Sequence, residues 1–139
     1  MNKNDFAKYP PMGWNSWDCY GAAVTEKELR QNADYMAEHL KEHGWEYVIC
    51  DIQWYEPTAD TSHYHNFADL CVDEYGRVIP APNRFPSAAD GKGFGPIAEY
   101  VHSKGLKFGI HIMRGIPRQA VHQNTPVKGT SNTARQIAH

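Results

Sequence analysis

Tyr47-Val48-Ile49-Cys50-Asp51-Ile52-Gln53-Trp54 is the stretch that decides the fold. Val48, Ile49, Cys50 and Ile52 form a nearly continuous apolar run, without the strict alternation of a half-exposed strand. Such a run marks a parallel strand covered on both faces. Asp51 interrupts it. A carboxylate among apolar neighbours is costly unless it is hydrogen-bonded or paired, so Asp51 needs a partner or a ligand.

The flanks agree with a parallel strand. Upstream, Thr25 to His43 reads as a helix, with Leu29, Ala33, Met36 and Leu40 recurring on one face. Thr25 and Glu28 have the spacing of a capping box, and Gly44 suits the position after the helix, where positive φ is needed. Before it, Pro10 and Pro11 close a polar lead-in, and Met12 to Trp17 reads as a first strand with Gly13 permitting close backbone approach. Downstream, residues 55–93 form a long irregular segment, of the length found in functional or disordered loops. A small hairpin is expected within it from Cys71 to Ile79, turning at Tyr75-Gly76. Gly95 to Lys104 is a second helix with Pro96 in its first turn, and Gly105 ends it. Leu106 to Met113 is a third strand. Gly115 to Gly129 reads as irregular, and Thr130 or Ser131 is expected to cap a last helix. Strand and helix alternate throughout, which predicts an α/β fold with a parallel sheet. The absence of a Gly-x-Gly turn after each strand excludes a dinucleotide-binding fingerprint.

Composition narrows the function classes. The chain has 139 residues, 41% hydrophobic and 22% charged, with a formal net charge of -2. This is a globular balance without a basic patch, so neither nucleic acid nor a membrane surface is an expected partner. Cys19, Cys50 and Cys71 are odd in number and lack CxxC spacing, which argues against a disulfide framework or a zinc site. Free thiols, and a start without the apolar run of a signal peptide, point to a cytoplasmic protein.

The polar and aromatic residues at the strand ends carry the functional signal. Trp17, Asp51 with Trp54, and His111 with Arg114 fall at or just past the C-terminal ends of the three strands, the active-site face of α/β barrels. An indole can stack on the apolar face of a sugar ring. Trp14 and Trp17 flank Asn15-Ser16, and alternation along a strand sends Trp14 to the core and Trp17 to the site. Asp51 would accept hydrogen bonds from ligand hydroxyls, and His111 would donate to one. Arg114 would pair with Asp51 or bind an acidic ligand group. His63 and His65 form an HxH pair, but two ligands without a third make a poor metal site, and a solvated loop is the expectation. No cofactor is called for.

The run from Pro10 to Trp17, Gly44-Trp45-Glu46-Tyr47-Val48 leading to Asp51 and Trp54, Arg84-Phe85-Pro86, and Tyr100 to Ile110 together resemble glycoside hydrolase family 27. These are the α-galactosidases and α-N-acetylgalactosaminidases, and the similarity runs from about residue 10 to residue 112. The resemblance implies the first three βα units of a (β/α)8 TIM barrel. It implies retaining hydrolysis of terminal α-galactosides or related α-glycosides by two carboxylates. Those catalytic aspartates are expected beyond this chain, so residues 1–139 would be an incomplete N-terminal portion of the catalytic domain, inactive alone. The resemblance assigns Trp17 to a wall of the sugar pocket, Asp51 to the distal hydroxyls and Trp54 to the floor. Two positions depart from the family. Ile52 stands where a second aspartate is usual, and His111 where a tyrosine is usual; both touch the sugar in the family, so the glycone stays open.

Two other readings remain at this level. One is a non-catalytic carbohydrate-binding or self-associating module built from part of a barrel, with open sheet edges covered by other copies. The other is a barrel enzyme using His63, His65 or His111 with a metal.

Overall fold

The computed structural model describes residues 5, 8–61 and 63–138. The chain enters through β1 (Gly13–Asn15) and a short helix, α1 (Trp17–Tyr20), then runs through α2 (Glu26–His39), β2 (Tyr47–Cys50), α3 (Gly95–Ser103), β3 (Lys107–Ile110), α4 (Arg118–Gln123) and α5 (Ala134–Ile137). The three strands form one sheet in the order β1-β2-β3, with parallel pairing throughout. Gly13 lies opposite Tyr47, and a Cβ there would sit 2.5 Å from the Tyr47 carbonyl oxygen, so the close approach expected at this glycine is required.

α2 begins where the sequence says it should. The Thr25 N–H donates to Glu28 Oε2 at 2.8 Å, and the Glu28 N–H returns to Thr25 Oγ1 at 3.4 Å. Leu29, Ala33 and Met36 then bury one face against Val48 and Cys50 of β2, with Ile97 and Val101 of α3 and Phe85 in the same core. Each fully buried aliphatic or aromatic side chain of this kind contributes about 1.5–3 kcal/mol. Among the described residues no helix is long and apolar enough to cross a membrane.

Several boundaries differ from the sequence expectation. α2 stops at His39, and a 3-10 turn over Lys41–His43 delivers the chain to Gly44 at φ 88°. Trp17 opens α1 instead of closing a strand, because Ser16 already has helical backbone angles. Residues 118–123, expected to be irregular, form α4, ended by Asn124 at φ 52°. The last helix is capped by Thr133, whose partner in a capping box is Gln136, and not by Thr130 or Ser131. The hairpin turns where expected, with one antiparallel bridge between Val72 and Val78.

Candidate functional site

Three strand ends meet at one rim, and Asp51 is its centre. The residue follows directly after β2 and is 8% exposed. Its Oδ2 accepts from Asn15 Nδ2 at 2.7 Å, and its Oδ1 accepts from the Ile52 N–H at 2.7 Å. The Asp51 N–H donates to the fully buried Ser16 Oγ at 2.9 Å. His111 places Nδ1 3.4 Å from Asp51 Oδ1. A carboxylate offers about four acceptor positions, so Oδ2, which accepts from Asn15, keeps room for a further donor.

Asn15 does double duty. While its amide nitrogen holds Asp51, its Oδ1 accepts from the Trp17 N–H at 2.8 Å. One side chain therefore fixes the carboxylate and the start of α1. The Trp17 ring is 36% exposed and stacks on Tyr64, with centroids 5.5 Å apart and planes inclined by 25°. Asn15, Ser16 and Tyr64 were not singled out by the sequence as contributors. The first two act across 35 or 36 residues, which no local pattern reveals.

The remaining expected residues divide. Trp54 is 3% exposed, edge-on to Tyr55 at 5.0 Å and Phe94 at 5.1 Å, and its indole N–H donates to the His111 carbonyl at 2.9 Å. It braces the end of β3 from within the core. Trp14 packs on the core edge-on to Tyr20, as alternation requires. Arg114 does not pair with Asp51; that place is taken by His111. Arg114 instead borders a groove of about 700 Å³ along β3 and the loop after it, lined among others by Ile110, Ile112, Met113, Ile116 and Ile137.

The long loop is closely tied. His65 Nδ1 lies 2.5 Å from Glu56 Oε1, and its Nε2 lies 2.9 Å from Asp60 Oδ2. Hydrogen bonding to Glu56 first, then to Asp60, raises the His65 pKa above its ordinary 6.5. The solvated loop expected for His65 is thus replaced by an ion-paired turn. Glu56 is fully buried and also accepts from Thr58 Oγ1 at 3.1 Å. Arg84, 7% exposed, sends one guanidinium nitrogen to the carbonyls of Gln53 and Glu56, each at 2.8 Å, and the other to those of Val24 at 2.7 Å and Ala22. Among the described residues no group of three or more His, Cys, Asp or Glu could hold a metal ion.

Residues 9–125 match the family model described as Melibiase_2, alpha galactosidase A. An alpha-galactosidase from Cyamopsis tetragonoloba is 36% identical over 112 residues, covering 80% of this chain and 23% of that protein. A β-L-arabinopyranosidase of glycoside hydrolase family 27 from Geobacillus stearothermophilus is 67% identical with a TM-score of 0.95, covering 97% of this chain and 31% of that one. A variant of that enzyme in complex with arabinose is 66% identical with a TM-score of 0.96, covering 100% of this chain and 32% of that one. The chain therefore spans about a quarter to a third of the length of the relatives it matches.

Proposed function

The chain belongs to glycoside hydrolase family 27, the alpha-galactosidase family, and from that membership we propose that it forms the glycone-binding part of a retaining glycosidase acting on terminal β-L-arabinopyranosides. The Asp51-Ile52 pair carries this reading. β-L-Arabinopyranose has the ring configuration of α-D-galactopyranose without the exocyclic hydroxymethyl group. The aspartate usual at position 52 in the family offers a hydroxyl two acceptor oxygens, whereas isoleucine offers none. A hydroxymethyl group buried there would lose a partner at a cost of about 1–3 kcal/mol. A pentopyranose loses nothing. The high identity to an arabinopyranosidase supports the same choice.

In this reading Trp17 is the wall on which the sugar ring packs, Asp51 accepts from its distal hydroxyls, and His111 donates to a hydroxyl beside Asp51. Arg114 stands at the outer rim. Trp54 supports the floor through its bond to the His111 carbonyl. Residues 1–139 supply the first three βα units of the barrel, and the two catalytic carboxylates of the retaining scheme come from later units. Sequencing the reading frame past His139 tests that placement, and further βα units with an aspartate at a strand end are expected. A cytoplasmic location belongs to the same reading and is supported by the free thiols of Cys19, Cys50 and Cys71. Burial pushes the Cys50 thiol up to about 12, which leaves it unreactive.

The deciding assay compares p-nitrophenyl β-L-arabinopyranoside with the α-D-galactopyranoside on the full-length protein. A kcat/KM ratio favouring the arabinoside by about ten-fold or more is expected, the range one pocket contact supplies. Ile52→Asp should move that ratio toward the galactoside. A wild-type preference for the galactoside would overturn the assignment.

A further inference from the structure

We propose that Tyr64 is an additional wall of the sugar site, delivered by residues 63–67 and held in place by a clasp of His65 between Glu56 and Asp60. The inference rests on reading the Trp17–Asp51 rim as a glycone site. Tyr64 is 54% exposed, yet its ring is not loose: it stacks on Trp17 at 5.5 Å. Its phenol is pushed up by burial first and then by the charge of Asp51. Tyr64 thus touches Trp17, whose N–H is held by the same Asn15 that holds Asp51. A phenol in that position offers an apolar ring for the C–H face of a pyranose and an O–H for one of its hydroxyls.

The neighbouring residue explains why the ring stays there. Both nitrogens of His65 contact carboxylate oxygens, and only an imidazolium can donate to both at once. Glu56, the inner carboxylate, is fixed by complete burial. The His63 N–H donates to Asp60 Oδ1 at 2.8 Å, which closes the turn on the other side of Tyr64. Glu56 and Asp60 contact His65 from its own loop, and Tyr64 and His65 line a second groove together with Arg118 and His122 of α4 and Arg135 of α5. His65 is a positioning residue that acts through Tyr64.

The test uses the full-length protein and p-nitrophenyl β-L-arabinopyranoside. Tyr64→Ala is expected to raise KM about ten-fold, with a smaller fall in kcat, as loss of one pocket contact does. Tyr64→Phe should retain the stacking part of that effect. His65→Gln should raise KM in the same direction without touching sugar. The wild type is expected to show a rise in KM as pH climbs through the raised pKa of His65, and His65→Gln should abolish it. Should Tyr64→Ala fail to fold, Tyr64→Phe and His65→Gln carry the comparison. Unchanged kcat and KM in folded Tyr64 and His65 variants of an active wild type would overturn this proposal and leave the glycosidase assignment standing. A wild type inactive on both the arabinoside and the galactoside would overturn the assignment itself, and the proposal with it.

Discussion

At the scale of single residues, the site depends on an amide with two jobs. Asn15 donates to Asp51 with one end and accepts from the Trp17 backbone with the other. On the arabinopyranoside reading, Asn15→Ala should therefore weaken arabinose binding by about ten- to a hundred-fold, the size of one lost hydrogen bond to a charged group, read by quenching of tryptophan fluorescence. Asn15→Asp should be worse, since it sets a second carboxylate against the first and forces one to hold its proton. Equal affinity in both variants would show that Asp51 does not need this support. The sequence revealed Asp51 as a carboxylate in need of a partner but not which partner it has. Arg114 offered charge, yet the loop after β3 sets it beside the apolar groove, while His111, directly after β3, takes the place at Asp51. The His63-x-His65 spacing read as a solvated loop. Its true meaning depends on Glu56 and Asp60, which an irregular loop brings round and no periodicity can place.

At the scale of elements, the long apolar and capped segments were legible, and the short polar ones were not. α2 could be read because its cap and its apolar stripe point the same way. α4 has six residues, Arg-Gln-Ala-Val-His-Gln, too few to show a helical period. Trp17 was misplaced because aromatic and apolar composition from Met12 onward looks like strand, whereas the Ser16 side chain serves Asp51 and lets the chain turn. α2 also carries a pH-sensitive joint. Glu26, 8% exposed, accepts from the Ser87 N–H at 2.9 Å and from Arg30 Nε at 2.8 Å. Burial alone would raise its pKa, but the bonds to Ser87 and Arg30 outweigh burial and bring it below the ordinary 4.5. A carboxyl with a lowered folded pKa stabilises fully above its unfolded value and loses that contribution as pH falls through the folded one. Urea midpoints measured below pH 4.5 should therefore fall more steeply for wild type than for Glu26→Gln. Parallel curves would exclude the joint.

At the scale of the whole molecule, the order β1-β2-β3 leaves β1 and β3 each paired on one side among the described residues. Beside β3 the apolar groove exposes Ile112 at 61% and Met113 at 57%. Open edges bordered by apolar surface recruit further strands. The 139-residue chain by itself is expected to elute above its 15.8 kDa monomer mass, and Ile112→Lys should reduce that association. A monodisperse monomer by light scattering would contradict this. Arg84 has a consequence of another kind, in the order of folding events. Its guanidinium joins carbonyls at sequence separations of 28, 31, 60 and 62 residues. Contacts so distant along the chain form late, after loop closure has been overcome. Interactions absent from the transition state govern how fast a native chain opens and leave the forward rate nearly untouched. Arg84→Lys should thus steepen decay in stopped-flow unfolding while refolding keeps its wild-type rate, and slowed refolding would move this knot of carbonyls into the nucleus. With refolding unchanged, Arg84 would be a latch on the finished structure, setting the lifetime of the folded rim and having no part in its birth.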